Sequence, residues 1–235
     1  MIVVIGSSWA RRTDSGTRAA GMAPSIGRVA AAAGALVQLV GKVGEGPAGD
    51  AVLLSLAQMN IGHVAVLRDA SVVPSGEGEG DDEAGDDDGG DDGDDDGDEA
   101  TDEATDVAAD LPEAGRSVGH PRVSRLDSAD IELALRYLPD YRVLVAADPL
   151  DESSVEVVAG AARWSGAALI VVVPPGSNAG GLPGDATVLE APLSDADGAF
   201  AAIVGAYAAA IDRGATPTEA FDAASAGSGW SPVPD

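Results

Sequence analysis

The sequence has no cysteine and very few aromatic residues among its 235 positions. Without cysteine the chain forms no disulfide and has neither a thiolate metal site nor a cysteine nucleophile. With only two histidines as well, no metal site is predicted. Aromatic residues make up 3% of the chain, although 45% of it is hydrophobic. The core is therefore expected to consist largely of alanine and valine, in a chain long enough for one sizeable domain.

Lysine is almost absent, since Lys42 is the single lysine beside twelve arginines, and the formal net charge is -27. The segment 76–106 holds 18 acidic residues and no basic one, so the rest of the chain carries -9. Because such charge repels polyanions, neither nucleic acid nor an anionic membrane is an expected partner. An acidic, lysine-poor surface suits molar salt, which shortens electrostatic screening lengths, and this predicts a halophilic source.

The sequence also lacks a long apolar run. The longest runs, AALIVVV and FAAIVGAYAAAI, are well below the roughly 18 residues of a membrane-spanning helix. The start MIVVIG has no basic leader of the kind with which a secretory signal begins. We therefore expect a cytoplasmic protein.

The acidic segment 76–106 is of low complexity and contains no apolar face to bury. Burial cannot offset its ordering entropy, so we predict a disordered loop that interrupts a single domain spanning 1–235. A cation-binding or partner-binding role is the alternative, although the segment lacks the fixed ligand spacing of a calcium loop.

Outside this insert, short Val-rich runs alternate with helical patterns. Strands are predicted at Ile2–Ile5, Leu36–Val40, His63–Leu67, Arg142–Ala146, Ala168–Val173 and Thr187–Leu189. Helices are predicted at Pro24–Ala33, Pro47–Asn60, Ser128–Leu138, Ser153–Ser165, Ala199–Asp212 and Pro217–Ala226. This alternation predicts an α/β fold with a mostly parallel sheet and helices on both faces.

A small basic cluster, Arg11, Arg12 and Arg18, follows the first predicted strand. Open parallel sheets bind ligands at the carboxyl ends of their strands, so an anionic substrate could bind there. The alternative is that these arginines pair with surface carboxylates. Trp9 nearby either stacks on a sugar or packs against a neighbouring helix.

One stretch has the spacing of a dinucleotide-binding turn. Gly44, Gly46 and Gly49 form G-x-G-x-x-G between a predicted strand and helix, and Asp69 follows twenty residues later. In such a unit the backbone amides hold a pyrophosphate and the acidic residue holds the ribose hydroxyls. Against this assignment, Gly41 and Lys42 are expected to interrupt the strand.

The same region in its wider context, GMAPSIGRVAAAAGALVQLVGKVGEGPAGDAVLLSLAQMNIGHVAVLRD (21–69), resembles the first signature of the PfkB-type, ribokinase-like carbohydrate kinases. The stretches RVLVAADPLDES, ALIVVVPPG and TVLEAPLSD resemble later strands of that family. This resemblance implies a ribokinase-like fold. It also implies that Asp14 and Ser25 bind the substrate. At the position of Ser25 the family has asparagine. The lid strands are expected to be reduced or missing.

The stretch DGAFAAIVGAYAAAIDRGATPTEAFDAASA (197–226) resembles the second signature, D-T-x-G-A-G-D-x-F. In the family, glycine-rich amides at this helix start stabilise the transferred phosphoryl group, and an aspartate takes the proton from the sugar hydroxyl. The resemblance implies Asp197 as the catalytic base, with Gly198 and Ala199 as the anion hole. It further implies ATP and Mg²⁺ as cofactors and a sugar or nucleoside as acceptor.

The motif nevertheless departs from the family pattern. Asp197 is displaced by one position, and Ser194, Asp195 and Ala196 replace the expected glycines. We therefore expect a carbohydrate kinase homologue with an eroded active site; a non-catalytic metabolite-binding or protein-binding pseudokinase is the alternative. As structure alone, Ser194 and Asp197 fit an N-terminal capping box, and Asp195 is a second candidate for the cap.

Overall fold

The computed structural model describes residues 1–13, 16–70, 125–177 and 182–228. Its contacts divide the chain into one unit of Met1–Ser75 with Pro121–Asp235 and a second unit of Gly76–His120. The predicted acidic insert 76–106 lies in the second unit and outside the described residues. The predicted single domain with a disordered insert stays a prediction.

The first unit is built on a sheet of six parallel strands. The strands are β1 (Ile2–Ile5), β4 (Val37–Gly44), β5 (Ile61–Asp69), β6 (Val143–Ala146), β7 (Ala168–Val173) and β8 (Thr187–Glu190). Their spatial order is β5-β4-β1-β6-β7-β8. Ile2 at the start of β1 is in register with Val37 on one side and Val143 on the other. The chain therefore adds strands outward from β1 first in one direction and then in the other.

Helices cover both faces of this sheet. They are α1 (Met22–Ala32), α2 (Pro47–Gln58), α3 (Ser128–Arg136), α4 (Glu152–Ser165), α5 (Ala199–Asp212) and α6 (Pro217–Ser228). One core cluster joins the sheet to α1, α2, α5 and α6, and the other joins it to α3 and α4. The predicted α/β fold with helices on both faces is confirmed.

Small residues allow α1 and α5 to pack closely, as the composition suggests. A Cβ at Gly205 of α5 would lie 2.6 Å from the carbonyl oxygen of Ile26 and 2.8 Å from the Cβ of Val29. Both distances are shorter than a van der Waals contact, so the backbones approach as near as they do only because position 205 is glycine.

A two-stranded antiparallel ribbon, which the sequence analysis missed, follows β1 and precedes α1 in the chain. Its strands are β2 (Trp9–Thr13) and β3 (Gly16–Ala20). The ribbon packs on α2, where the backbone N–H of Ala19 donates to the Ser55 hydroxyl at 2.9 Å. The predicted reduction of the family's lid strands is not settled by this ribbon and stays a prediction.

The predicted interruption of the second parallel strand is wrong. Strand β4 continues through Gly41 and Lys42 to Gly44. A side chain at position 41 would place its Cβ 2.7 Å from the carbonyl oxygen of Gly6, so glycine keeps the strand in close register with its neighbour. Among the described helices, none is both long and apolar enough to cross a membrane.

Candidate functional site

At the carboxyl edge of the sheet, the direction in which strands are added reverses between β1 and β6, which are paired neighbours. Ligands of open parallel sheets bind in the crevice outside such a reversal point. There Asp148, just after β6, accepts the backbone N–H of Ser7 at 2.6 Å and also the Ser7 hydroxyl. This contact ties the loop after β1 to the loop after β6 across 141 residues of sequence.

Ser8, the residue after Ser7, is 3% exposed, and its hydroxyl has no hydrogen-bond partner within the described part of the chain. Buried hydroxyls are ordinarily paired, so this one has spare hydrogen-bonding capacity at the reversal point. A Cβ on Gly21 would lie 2.9 Å from the ring of Trp9, which shows that the indole lies against the start of α1. Gly21 has φ of 124°, which favours glycine at this N-cap. Of the two roles considered for Trp9, the packing contact is the observed one.

The resemblance assigns substrate binding to Ser25 and Asp14. Ser25 is in the first turn of α1 and is half-buried, and its backbone N–H donates to the carbonyl of Gly21 at 3.2 Å. Asp14 lies outside the described residues. Substrate binding by either residue stays a prediction.

The N-terminus of α5 is a second candidate site on the same edge, because α5 follows the carboxyl end of β8. Helix α5 begins at Ala199, the residue that the sequence predicts. The two carboxylate oxygens of Asp195 accept the N–H groups of Phe200, at 2.9 Å, and of Ala201, at 3.0 Å. A negative side chain thus occupies the positive end of the helix dipole.

The predicted capping box between Ser194 and Asp197 is wrong. The N-cap is Gly198, in the left-handed conformation with φ of 70°, and it makes no side-chain cap. The N–H of Gly198 donates to the carbonyl of Asp195 at 3.0 Å, which closes a turn and places the Asp195 side chain over the next amides. Asp195, the second candidate, therefore supplies the cap.

The predicted base and anion hole surround this cap. Asp197 and Ala199 are exposed and Gly198 is half-buried, and Asp197 and Ala199 line a cleft of about 970 Å³. Other residues lining the cleft are Glu190, Pro192, Asp195, Phe200, Ile203 and Phe221. The catalytic assignments of Asp197, Gly198 and Ala199 stay predictions.

The glycine-rich turn between β4 and α2 also has a defined geometry. Gly46, with φ of 99°, is the N-cap of α2, and a Cβ on Gly49 would lie 1.9 Å from the carbonyl oxygen of Gly44. Gly44 is the register partner of Asp69 on β5. The three glycines and Asp69 therefore share one corner of the sheet, and nucleotide binding at that corner stays a prediction.

Lys42, whose side chain is 14% exposed, lies in the same corner with its Nζ 2.5 Å from Asp130 and 4.0 Å from Asp69. The hydrogen bond to Asp130, aided by the charges of Asp130, Asp127 and Asp69, raises the pKa of Lys42 against the opposing effect of burial. This ion pair connects β4 to the first turn of α3.

Sequence reasoning missed the roles of Ser7, Ser8 and Asp148. Each of them lies two or three residues after the end of a predicted strand, which is the signal that could have placed them at one edge. Sequence spacing could not reveal the contact between them, because the two strands that meet there are far apart in the chain.

The structure aligns with solved structures over most of its length. A PfkB protein from Polaromonas aligns with TM-score 0.56 and 14% identity over 95% of this chain and 92% of its own. Ribokinase from Arabidopsis thaliana, solved with ribose and ATP, aligns with TM-score 0.54 and 13% identity over 97% of this chain and 90% of its own. The fold is ribokinase-like.

Aminoimidazole riboside kinase from Salmonella enterica shares this ribokinase-like fold, with TM-score 0.54 and 12% identity over 97% of this chain and 92% of its own. At such identities the likeness concerns the fold. No family model and no curated protein matches the sequence.

Proposed function

We propose that this protein binds a small sugar or nucleoside on a carbohydrate-kinase frame and that its phosphoryl-transfer site is eroded. The solved proteins of similar fold include a ribokinase and a riboside kinase, which supports a sugar or nucleoside as the ligand. We prefer the non-catalytic alternative raised by the sequence to an active kinase because of the Asp195 side chain at the start of α5.

The double hydrogen bond from Phe200 and Ala201 to the Asp195 carboxylate carries this proposal. A phosphoryl group at the proposed anion hole of Gly198 and Ala199 would lie beside this carboxylate, and the next two N–H groups of the helix are already held by it. With the Asp195 side chain in this position, the start of α5 does not fit the terminal phosphate of ATP.

The charge of the cleft argues in the same direction. Three carboxylates, Glu190, Asp195 and Asp197, line it. Carboxylates that face a triphosphate raise its binding free energy, the more so where the protein excludes water. Mg²⁺ would offset part of this repulsion but would leave the two amides of α5 occupied by Asp195.

Ligand binding is supported by the polar groups in the loops that follow β1 and β6. Asp148 offers acceptor oxygens and Ser8 offers a buried hydroxyl with spare hydrogen-bonding capacity. A few convergent polar groups in a crevice at the reversal point are typical of small-molecule sites. Their number and type suit a polyhydroxylated ligand.

Isothermal titration and a transfer assay in molar KCl test the proposal. We expect ribose or a nucleoside to bind, and we expect no transfer from ATP with Mg²⁺ to ribose, fructose 6-phosphate or nucleosides. The test variant is Ser8→Ala. It removes the hydroxyl with spare hydrogen-bonding capacity, and we expect it to weaken sugar binding several-fold.

Robust turnover that Asp197→Asn abolishes would instead make the protein a working kinase with Asp197 as base. Saturable binding of NADH, lost in Asp69→Asn, would favour the dinucleotide alternative at Gly44, Gly46 and Gly49.

A further inference from the structure

A cleft of about 780 Å³ lies between α3 and α4, on the side of the sheet that these two helices cover. Its volume is within the range of small-molecule sites. Two of its lining residues, Tyr141 and Ser165, lie just before β6 and just before β7. The cleft is therefore near the amino edge of the parallel sheet, whereas Ser8 and Asp148 of the proposed sugar site follow strands at the carboxyl edge.

Three residues of α4 that line the cleft are spaced about one turn apart, namely Glu156, Gly160 and Trp164. Residues four apart lie on one face of a helix, about 6 Å apart along its axis. A Cβ on Gly160 would meet nothing within 4 Å beyond the neighbouring backbone of its own helix. Glycine inside a helix lowers its stability relative to alanine, and close packing does not require it here. It leaves a gap in the wall of the cleft, between a carboxylate and an indole.

The surface around this gap is apolar and aromatic. Leu138 and Tyr141 are buried in the core cluster beneath the cleft, and the Tyr141 hydroxyl donates to the carbonyl of Ala161 at 3.4 Å. Trp164 is 93% exposed, so the faces of its indole are open within the described part of the chain. Long side chains in helices lean toward the preceding turn, which for Trp164 is the turn of Gly160. An open indole beside such a gap can bind a cation against its face.

The charges that line the cleft favour a positive ligand. They belong to Glu132, Arg136, Asp140 and Glu156. Arg136 and Glu132 form an ion pair with each other. None of the described residues forms an ion pair with Asp140 or Glu156, so the cleft keeps two uncompensated carboxylates. An anion would be repelled there, the more so in a protein of net charge -27.

We propose that this cleft binds a small organic cation, an ammonium group with apolar substituents. Its charge lies against the indole of Trp164 and the carboxylate of Glu156, and its apolar part fills the gap at Gly160. Tryptophan attracts a cation more strongly than the other aromatic side chains do, and aromatic surfaces recognise quaternary ammonium ligands. The carboxylate adds a Coulomb attraction that a neutral ligand does not receive. The inference is independent of the proposed sugar site, because the two sites share no residue.

Isothermal titration tests the proposal, at the lowest KCl concentration that preserves the native circular dichroism spectrum. The probes are choline, tetramethylammonium and butylammonium, and the neutral counterpart of choline is the alcohol dimethylbutanol, in which carbon replaces the charged nitrogen. We expect choline to bind about tenfold more tightly than dimethylbutanol. Trp164→Ala should weaken choline binding by about tenfold. The matched control is Tyr137→Ala, which removes an exposed aromatic ring outside the cleft and should change the affinity by less than about twofold.

Two further variants separate the roles of charge and space. Glu156→Gln should weaken choline binding several-fold and leave dimethylbutanol binding unchanged. Its control is Glu152→Gln, which removes an exposed carboxylate one turn earlier in α4 and outside the cleft. Gly160→Met fills the gap with a side chain, so it should weaken binding of choline while the circular dichroism spectrum stays native.

If none of the three cations binds to the native protein, or if dimethylbutanol binds as tightly as choline, the inference is wrong. Equal weakening by Glu152→Gln and Glu156→Gln would show a general charge effect and would also overturn it. Sedimentation equilibrium examines another occupant, since a dimer that Trp164→Ala dissociates would show that a second copy of the chain covers the cleft, against the proposal. Sugar binding should be the same in all of these variants, so failure of this inference and failure of the proposed function are distinguishable.

Discussion

The carboxylate of Asp195 accepts the backbone N–H of Phe200 at 2.9 Å, within the first turn of the helix that opens the kinase-like second signature. Its second oxygen accepts the N–H of Ala201. The chain thus supplies its own anion at the start of this helix. Asp195 is one of the positions at which the sequence resemblance predicts glycine, and in the structure its side chain is the cap.

Replacing Asp195 with alanine should lower the free energy of unfolding by about 1 to 2 kcal/mol, because two amides of α5 lose their acceptor. Asp197→Ala should change it by less than about 0.5 kcal/mol, because its exposed side chain is not the cap. Chemical denaturation of both variants measures the two values. Equal destabilisation would return the capping role to Asp197.

Two helix glycines should respond to alanine in opposite directions. Gly205→Ala should destabilise the protein by about 1 to 3 kcal/mol, because its Cβ meets the backbone of Ile26. Gly160→Ala in α4 should stabilise it by up to about 1 kcal/mol, since nothing beyond the neighbouring backbone of its own helix lies within 4 Å of the added carbon. Thermal melting of both variants checks the signs, and a stabilising Gly205→Ala would contradict the close packing of α1 on α5.

Lys42→Gln should cost about 1 to 3 kcal/mol, because it leaves Asp130 and Asp69 without their shared cation. The control is Arg136→Gln, which breaks an exposed pair with Glu132 and should cost about 0.5 kcal/mol or less. Denaturant titrations of the two variants provide the comparison.

The pH dependence of the Lys42 pair has a defined sign. The pKa of folded Lys42 is raised above its ordinary value of 10.5, so the pair's contribution is complete below that pH. It is lost as the pH rises through the folded pKa. Native protein should therefore lose stability above pH 10.5 more steeply than Lys42→Gln, and parallel alkaline melting curves would exclude this role.

Stability should also depend on salt. Lowering KCl from 1 M to 0.01 M lengthens the screening distance from roughly 3 to 30 Å and exposes the net charge of -27 to self-repulsion. The melting temperature should fall over this range. Deletion of residues 76–106, which leaves a net charge of -9, should reduce that fall. A melting temperature independent of KCl would contradict the predicted halophilic character.

The sequence predicts the regular elements of the parallel sheet well, because buried Val-rich strands and Ala-rich helices have clear periodicities. Strand Ile2–Ile5 and helix Ala199–Asp212 have the predicted bounds. The ribbon was missed because WARRT and GTRAA lack the Val-rich character of the other strands. The sequence DSG at 14–16, which is typical of a turn, was the available signal.

The site was less predictable for a physical reason. The pattern from Ser194 to Asp197 matches a capping box, but Gly198 adopts a left-handed conformation and makes Asp195 the residue that reaches the amides. Similarly, the contact of Ser7 with Asp148 depends on which strands become neighbours in the sheet. Local sequence does not encode either arrangement directly.

The occupancy of the α5 amides can be measured directly by following the ¹⁵N–¹H resonances of Phe200 and Ala201 during titration with ATP and Mg²⁺ in KCl. In the native protein both resonances should stay in place, because Asp195 holds these N–H groups. In Asp195→Gly both should shift saturably, while the control Asp197→Asn should behave as the native protein does. Saturable shifts of both amides in the native protein would contradict the account, since ATP would then reach the site that Asp195 is proposed to close.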